Sequence, residues 1–157
     1  MKDIVKLLIS IIICQAVGFI GSLFTTPNIP TWYATLKKPG IAPPNWLFAP
    51  VWTTLFVLMG ISAYLVWRHG WNNQVVRTAL IVFIIQLILN ILWSLVFFTL
   101  KSPLFGFIVI IILWLLILIT LIYFYNISIP AGILLIPYIL WVSFASVLNF
   151  MLYKLNR

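Results

Sequence analysis

The stretch WYATLKKPGIAPPNWLFAPVW, residues 32–52, separates the first apolar run of this sequence from the second. Its two lysines and four prolines prevent most of it from lying in hydrocarbon as a helix. Its three tryptophans, one tyrosine and one phenylalanine are too many aromatic residues for a solvated linker. We therefore expect a proline-restricted connection at the water boundary, with Trp32, Tyr33 and Trp52 turned inward over the mouth of a membrane-embedded bundle.

The composition on either side of this stretch is that of an integral membrane protein. Of the 157 residues, 65% are hydrophobic and 6% are charged, and the mean hydropathy is +1.24. A soluble domain carries about 25% charged residues, so this chain cannot cover itself with a polar surface. The net charge of +8 arises from nine Lys and Arg residues against Asp3. These residues lie between or outside the apolar runs, where they meet anionic headgroups rather than nucleic acid.

Five apolar segments are long enough to cross a bilayer, which takes about 20 helical residues. They cover residues 4–25, 44–67, 75–100, 103–125 and 129–153. Because the runs are continuously apolar, an alternating β-barrel is excluded, and the short connections make sequential helices antiparallel neighbours. The sequence predicts an all-α membrane protein, a single domain over residues 1–157. It is a five-transmembrane-helix bundle with a long lid loop, residues 26–43, between helices 1 and 2.

The basic residues and the short N-terminus bear on where the protein resides. One side of the bundle collects four basic residues and Asp3, and the other collects five basic residues. This distribution favours a cytoplasmic location for the long loop and the C-terminus. The first span is preceded by no transit peptide, so we expect a multi-pass protein of a prokaryotic cell membrane.

Polar residues recur on one face of the third span and on one face of the fifth. Gln86, Asn90 and Ser94 are spaced by four residues and therefore share a helical face, with Trp93 beside them. The fifth span carries a similar stripe, made of Tyr138, Trp141, Ala145 and Asn149. Polar side chains in a membrane should face a cavity or another helix. Cavity lining and interhelical hydrogen bonding both remain open for Gln15, Gln86 and Asn149.

The remaining features of the spans concern packing. Cys14, the single cysteine, can form no intramolecular disulfide and is expected to be a small packing residue in a row with Gly18 and Ser22. Pro137 should kink the fifth span, because it has no N–H for the carbonyl of Ile133. The fourth span has almost no polar residue, so we expect it to be the most lipid-exposed helix.

Groups for acid–base or metal chemistry are scarce in this sequence. No Asp or Glu lies within a span, and His69 is the single histidine. We expect no metal and no required cofactor, and we leave open whether the protein is an enzyme. Aromatic faces with a few amide and hydroxyl groups suit a large, flat or rigid lipophilic ligand, such as a tetrapyrrole or a sterol. Lys37 and Lys38 could meet carboxylates of such a ligand at the membrane surface.

Three segments together resemble the TspO family of translocator, or tryptophan-rich sensory, proteins. They are the opening stretch, LNILWSLVFF in the third span and PYILWVSFASVLN in the fifth. The resemblance covers nearly the whole chain, with the segments in the family's order. It implies five helices around a pocket that the first loop covers. By motif, the implied ligand-binding residues are Tyr33, Pro39, Trp52, Asn90, Trp93, Ser94, Trp141 and Ala145.

The resemblance also implies a function. Family members bind porphyrins such as protoporphyrin IX, so we expect a membrane receptor or sensor that binds a porphyrin or similar lipophilic ligand and that could also transport it. One alternative is a light-dependent porphyrin-degrading enzyme that uses Trp52 and Trp141, and another is a structural or partner-binding membrane protein. The family also implies a homodimer. Ile41 departs from the family pattern, which usually has an aromatic residue at that place, so a stacking surface in the lid is expected to be missing.

Overall fold

Helices cross the molecule five times in the computed structural model, which describes residues 2–157. The five spans are built from six α-helices: α1 (Asp3–Thr25), α2 (Phe48–Trp67), α3 (Gln74–Ser94), α4 (Pro103–Ile127), α5 (Ile129–Leu134) and α6 (Ile136–Asn156). α5 and α6 together form the fifth span, and all five spans are long and apolar enough to cross a membrane. No strand occurs between residues 2 and 157. The predicted all-α five-helix bundle is confirmed.

The spans form a closed ring of neighbours. Going around it, the first span packs on the second, the second on the fifth, the fifth on the fourth, the fourth on the third, and the third on the first. Close packing of α1 on α2 depends on glycine. A Cβ atom at Gly60 would lie 2.7 Å from the Cα atom of Ile11, and one at Gly18 would lie 2.8 Å from the ring of Phe56. Small residues bring helix backbones together in this way in membranes, where packing replaces the hydrophobic effect.

Local side-chain chemistry fixes where two of the helices begin. The Asn73 side chain accepts a hydrogen bond from the backbone N–H of Val75 at 2.9 Å, and Ser102 accepts one from Phe105 at 3.2 Å. Both residues are N-caps that pair otherwise free N–H groups. Pro103 follows Ser102 as the first residue of α4, where its missing N–H costs nothing. Both capped helices follow short connections, residues 68–73 and 100–102.

The predicted lid loop, residues 26–43, is wrong over its first part, because the first span continues as a helix to Tyr33. A tight 3-10 turn (Thr26–Asn28) and a wide π-helical turn (Ile29–Tyr33) follow α1. Pro27 and Pro30 each lie in the first turn of these short segments, where proline is tolerated. The remaining connection, from Ala34 to Pro44, is helical at its first two residues and irregular beyond them, and we call it the lid.

The helix of the fifth span is interrupted just before Pro137, as expected from the missing N–H of this residue. α5 ends at Leu134 and α6 begins at Ile136, with Leu135 between them. The backbone N–H of Leu135 is bonded to the carbonyl of Gly132 at 3.1 Å, which is a tighter turn than an α-helix makes. On either side of the break, α5 packs on both α2 and α4, whereas α6 packs on α4.

The prediction that the fourth span is the most lipid-exposed is also wrong. α4 buries one continuous face, made of Gly106, Ile110, Leu113, Ile117, Thr120 and Phe124, whereas α1 buries Ser10, Cys14 and Gly21 alone. α4 packs on α3, α5 and α6, whereas α1 packs mainly on α2 and α3. Apolar side chains are equally stable against protein and against lipid, so a lack of polar residues does not reveal how exposed a span is.

Candidate ligand-binding cavity

A cavity of about 400 Å³ lies between the spans on the side of the lid. Its walls come from the end of the first span, the start of α2, the second half of α3 with the turn after it, and α6. Ligand pockets for small molecules have volumes of about 300–1,000 Å³. The cavity is therefore large enough to hold a small organic molecule.

Seven of the eight predicted site residues line this cavity. They are Tyr33, Trp52, Asn90, Trp93, Ser94, Trp141 and Ala145. The face predicted from the spacing on the third and fifth spans is thus the face that surrounds the cavity, although whether these residues bind a ligand stays a prediction. The wall has no acidic, basic or imidazole side chain among the described residues, so it offers aromatic, hydroxyl and amide groups.

Pro39, the eighth predicted residue, does not line the cavity. It begins a turn in the lid, in which the backbone N–H of Ala42 is bonded to the carbonyl of Pro39 at 3.1 Å. The helical continuation of the first span takes its place, since Ile29, Pro30 and Tyr33 reach the cavity. Ile41 likewise lies away from the wall and is 47% exposed. The missing aromatic residue at that position therefore removes no ring from the cavity of this structure.

A cluster of aromatic rings beside the lid was not predicted from the sequence. The π-helical turn Leu95–Thr99, which continues α3, buries the two consecutive residues Phe97 and Phe98. The Trp93 ring stacks on the Phe97 ring, with centroids 5.4 Å apart and planes at 24°. The Trp32 ring meets the Phe97 ring edge-on at 5.5 Å. Four-residue spacing along the third span did not predict that both of these consecutive rings would be buried.

A buried chain of hydrogen bonds lies below the cavity and joins the third span to the fifth. The Asn90 side-chain N–H donates to the Tyr138 hydroxyl at 2.9 Å, and this hydroxyl donates to the Gln86 side-chain oxygen at 2.6 Å. The Gln86 amide nitrogen has no partner in the described chain. Tyr138 also meets the Trp52 ring edge-on at 6.4 Å. These hydrogen bonds thus fix the position of the Asn90 side chain at the cavity wall.

A second pair of hydrogen bonds holds Trp93 in place. The Trp93 indole N–H donates to the Asn149 side-chain oxygen at 3.0 Å, and the Asn149 amide donates to the backbone carbonyl of Pro103 at 2.8 Å. Asn149 therefore links the third, fourth and fifth spans at one point. The Trp93 ring is oriented by polar contacts as well as by packing.

The lid is attached at two places. The backbone N–H of Lys37 donates to the Asn156 side-chain oxygen at 2.8 Å, and the Asn156 amide donates to the Lys37 carbonyl at 2.9 Å. The Lys38 ammonium group lies 4.7 Å from the centre of the Tyr33 ring, within cation–π range. Tyr33 is only 2% exposed, and its hydroxyl has no hydrogen-bond partner in the described chain. Lys37 and Lys38 are exposed and do not line the cavity.

Comparison with known proteins agrees with this architecture. The profile of the TspO/MBR family matches residues 10–154. The tryptophan-rich protein TspO of Archaeoglobus fulgidus is 47% identical over 98% of this chain and 99% of its own. The protein of the same name from Chlorobaculum tepidum is 47% identical over 99% and 98%. The translocator protein of Homo sapiens is 34% identical over 88% of this chain and 83% of its own. The chain is a multi-pass membrane protein that belongs to the TspO/MBR family of sensory and translocator proteins.

Proposed function

We propose that this protein is a membrane receptor or sensor that binds a porphyrin, or a lipophilic molecule of similar shape, in the cavity beneath the lid. The observation that carries the proposal is the composition of the wall. Trp52, Trp93 and Trp141 surround about 400 Å³ of space together with a few amide and hydroxyl groups and no charged side chain. Such a wall suits a flat, apolar ring system better than a polar metabolite. Any transport of the ligand would begin from the same cavity.

The test is titration of the purified protein with protoporphyrin IX. Porphyrin absorbance and tryptophan fluorescence should both change saturably, and Trp141→Phe should weaken binding by about tenfold or less, because the smaller ring keeps only part of a stacking contact worth about 0.5–1.5 kcal/mol. Trp46→Phe is the matched control, since Trp46 is 72% exposed and lies outside the wall. A wild-type protein without saturable binding, or equal losses in both variants, would rule the proposal out.

A light-dependent reaction of the bound porphyrin is a second candidate. It is favoured by the position of Trp52 and Trp141 on the wall of the same cavity, because an excited porphyrin and a neighbouring indole ring can exchange an electron without an acid–base pair. With dissolved dioxygen as the oxidant, illumination should then convert protoporphyrin IX to a defined product, with no conversion in the dark, without dioxygen or in Trp141→Phe. Uniform bleaching in wild type and variant would indicate simple binding.

The third alternative, a bundle with only a structural role, is not favoured by the cavity. A solid bundle would have no space between the third and fifth spans, and these spans form two of the walls. A homodimer remains part of the proposal. Counting photobleaching steps of labelled protein in bilayers should give two per particle, and a single step would contradict it.

A further inference from the structure

A second cavity, of about 380 Å³, lies at the end of the bundle opposite the lid. It is formed by the first halves of α1 and α3 and the last part of α2, and it shares no lining residue with the cavity beneath the lid. Ser10, Cys14 and Ala63 line its inner side, and each of these is buried. These three small side chains leave space beside the larger buried residues of α3 that form the rest of the inner wall.

This second cavity opens sideways into the membrane. Ile13 and Ile84 lie on its wall and are 49% and 50% exposed, so its outer side is formed by residues that face hydrocarbon. Its depth also fits one leaflet, because Cys14 is eight residues, or about 12 Å, further along α1 than Lys6, and half of a hydrocarbon core is about 15 Å. An apolar chain lying in the leaflet can enter such a space without crossing water.

The mouth of the cavity carries positive charge and tryptophan. Trp67 and Trp71 lie on the wall, and the Lys6 ammonium group is 5.6 Å from the centre of the Trp67 ring. Lys6 is one turn before Ser10 on α1, and Arg77 is one turn before Leu80 on α3, so both extend stripes that line the cavity. Tryptophan and basic residues in these positions are typical of the headgroup level.

The positive charge at this mouth is not neutralised within the protein. This end of the bundle contains Lys2, Lys6, Arg68 and Arg77, while the whole sequence contains one acidic residue, Asp3. The Arg77 side chain donates to the neutral side-chain oxygen of Gln74. A single carboxylate cannot balance four cations, and a phosphate group is the complementary anion at this depth of a membrane.

We propose that the second cavity is a binding site for an anionic phospholipid. One acyl chain fills the apolar space beside Ser10, Cys14 and Ala63, and Lys6 and Arg77 hold the phosphate. The site is independent of the porphyrin proposal, because the two cavities have no residue in common.

The test is native mass spectrometry of the delipidated full-length protein with dioleoyl phosphatidylglycerol or dioleoyl phosphatidylcholine. One molecule of the anionic lipid should bind on the order of ten to thirty times more tightly than the zwitterionic one, which is the preference that two nearby cations give. The double variant Lys6→Gln, Arg77→Gln should lose this preference. The control removes two exposed cations at the lid side, Lys101→Gln with Arg157→Gln, and should retain it.

A cavity-filling variant separates the acyl-chain site from charge attraction alone. Ser10→Leu places a larger apolar side chain in the space and should reduce phosphatidylglycerol binding by about tenfold while its helical circular dichroism stays at the wild-type level. Should Ser10→Leu misfold, Ala63→Val serves the same purpose from α2. Equal affinity for the two lipids, equal losses in the two double variants, or full binding by the filled cavity would each overturn the proposal.

Discussion

Two buried tyrosines differ in what surrounds their hydroxyl groups. Tyr138 accepts a hydrogen bond from Asn90 and donates one to Gln86, whereas the Tyr33 hydroxyl has no partner in the described chain. Both side chains are almost fully buried, at 1% and 2% exposure. A hydroxyl that pairs two other groups stabilises the fold, and a buried hydroxyl that pairs with nothing costs free energy.

A Tyr→Phe substitution should therefore affect stability differently at these two sites. Tyr138→Phe leaves Asn90 and Gln86 unpaired and should lower the free energy of unfolding by about 1–3 kcal/mol. Tyr33→Phe removes an unpaired group and should leave stability unchanged or slightly higher. Thermal unfolding of both variants in the same detergent measures the difference. Equal destabilisation would contradict the assigned hydrogen bonds.

Residue spacing predicted much of the cavity wall, but only in the helical parts of the chain. Asn90, Ser94, Trp141 and Ala145 were found because a four-residue spacing selects one helical face. Pro39, which the family resemblance implied, does not line the cavity, and it lies in a loop that has no periodicity from which to read the direction of a side chain. The spacing therefore identifies a face only where the backbone is regular.

At the scale of helices, the close contact between α4 and α5 depends on Gly132. A Cβ atom there would lie 2.5 Å from the Cβ atom and 2.7 Å from the Cα atom of Tyr125. The obstacle is partly backbone, which cannot rotate away as a side-chain end can. The connection between these two helices is the single residue Ser128, so the helices meet directly after it.

Gly132→Ala should accordingly force α4 and α5 apart and lower stability by about 1–3 kcal/mol, the usual cost of overpacking. Gly21→Ala is the matched control, since Gly21 is also buried in a helix, and its Cβ atom would lie at an ordinary 3.5 Å from the Ser94 hydroxyl. The control should be neutral or gain up to about 1 kcal/mol from helix propensity. Unfolding in increasing concentrations of denaturing detergent compares the two, and equal stability would refute the close contact.

The ends of the helices could be predicted well where the sequence carries a physical signal. The start of α4 matches the predicted boundary because Ser102 caps the helix and Pro103 begins it. The continuation to Tyr33 was missed because Pro27 and Pro30 are expected to end a helix. The chain instead changes its turn width around them. Such changes depend on tertiary packing that sequence pattern does not record.

On the scale of the whole molecule, the lid is joined to the end of the last span. Asn156, near the C-terminus, is hydrogen-bonded to both backbone groups of Lys37. This bridge connects the cover of the cavity to the last span. The position of the cover therefore depends on α6, which also forms one wall of the same cavity.

Asn156→Ala should loosen the lid while leaving the bundle intact. Each of the two lost hydrogen bonds contributes about 0.5–1.5 kcal/mol, so amide hydrogen exchange in residues 34–44 should rise several-fold. Asn126→Ala is the control, because Asn126 is an exposed residue of α4 distant in sequence from the lid. Unchanged exchange in the lid of Asn156→Ala would show that the bridge does not hold it.

The π-helical turn after α3 has a consequence for chain length. The backbone N–H of Leu100 is bonded to the carbonyl of Leu95 at 2.9 Å, five residues earlier, where an α-helix spans four. Deleting one residue from this stretch would restore a regular helix and rotate the next residues of the chain by about 100°. A relative with a regular helix here would align with a one-residue gap inside a membrane span, although gaps are normally expected in loops. The π-helical turn that carries Phe97 and Phe98 thus amounts to a one-residue insertion within a membrane span.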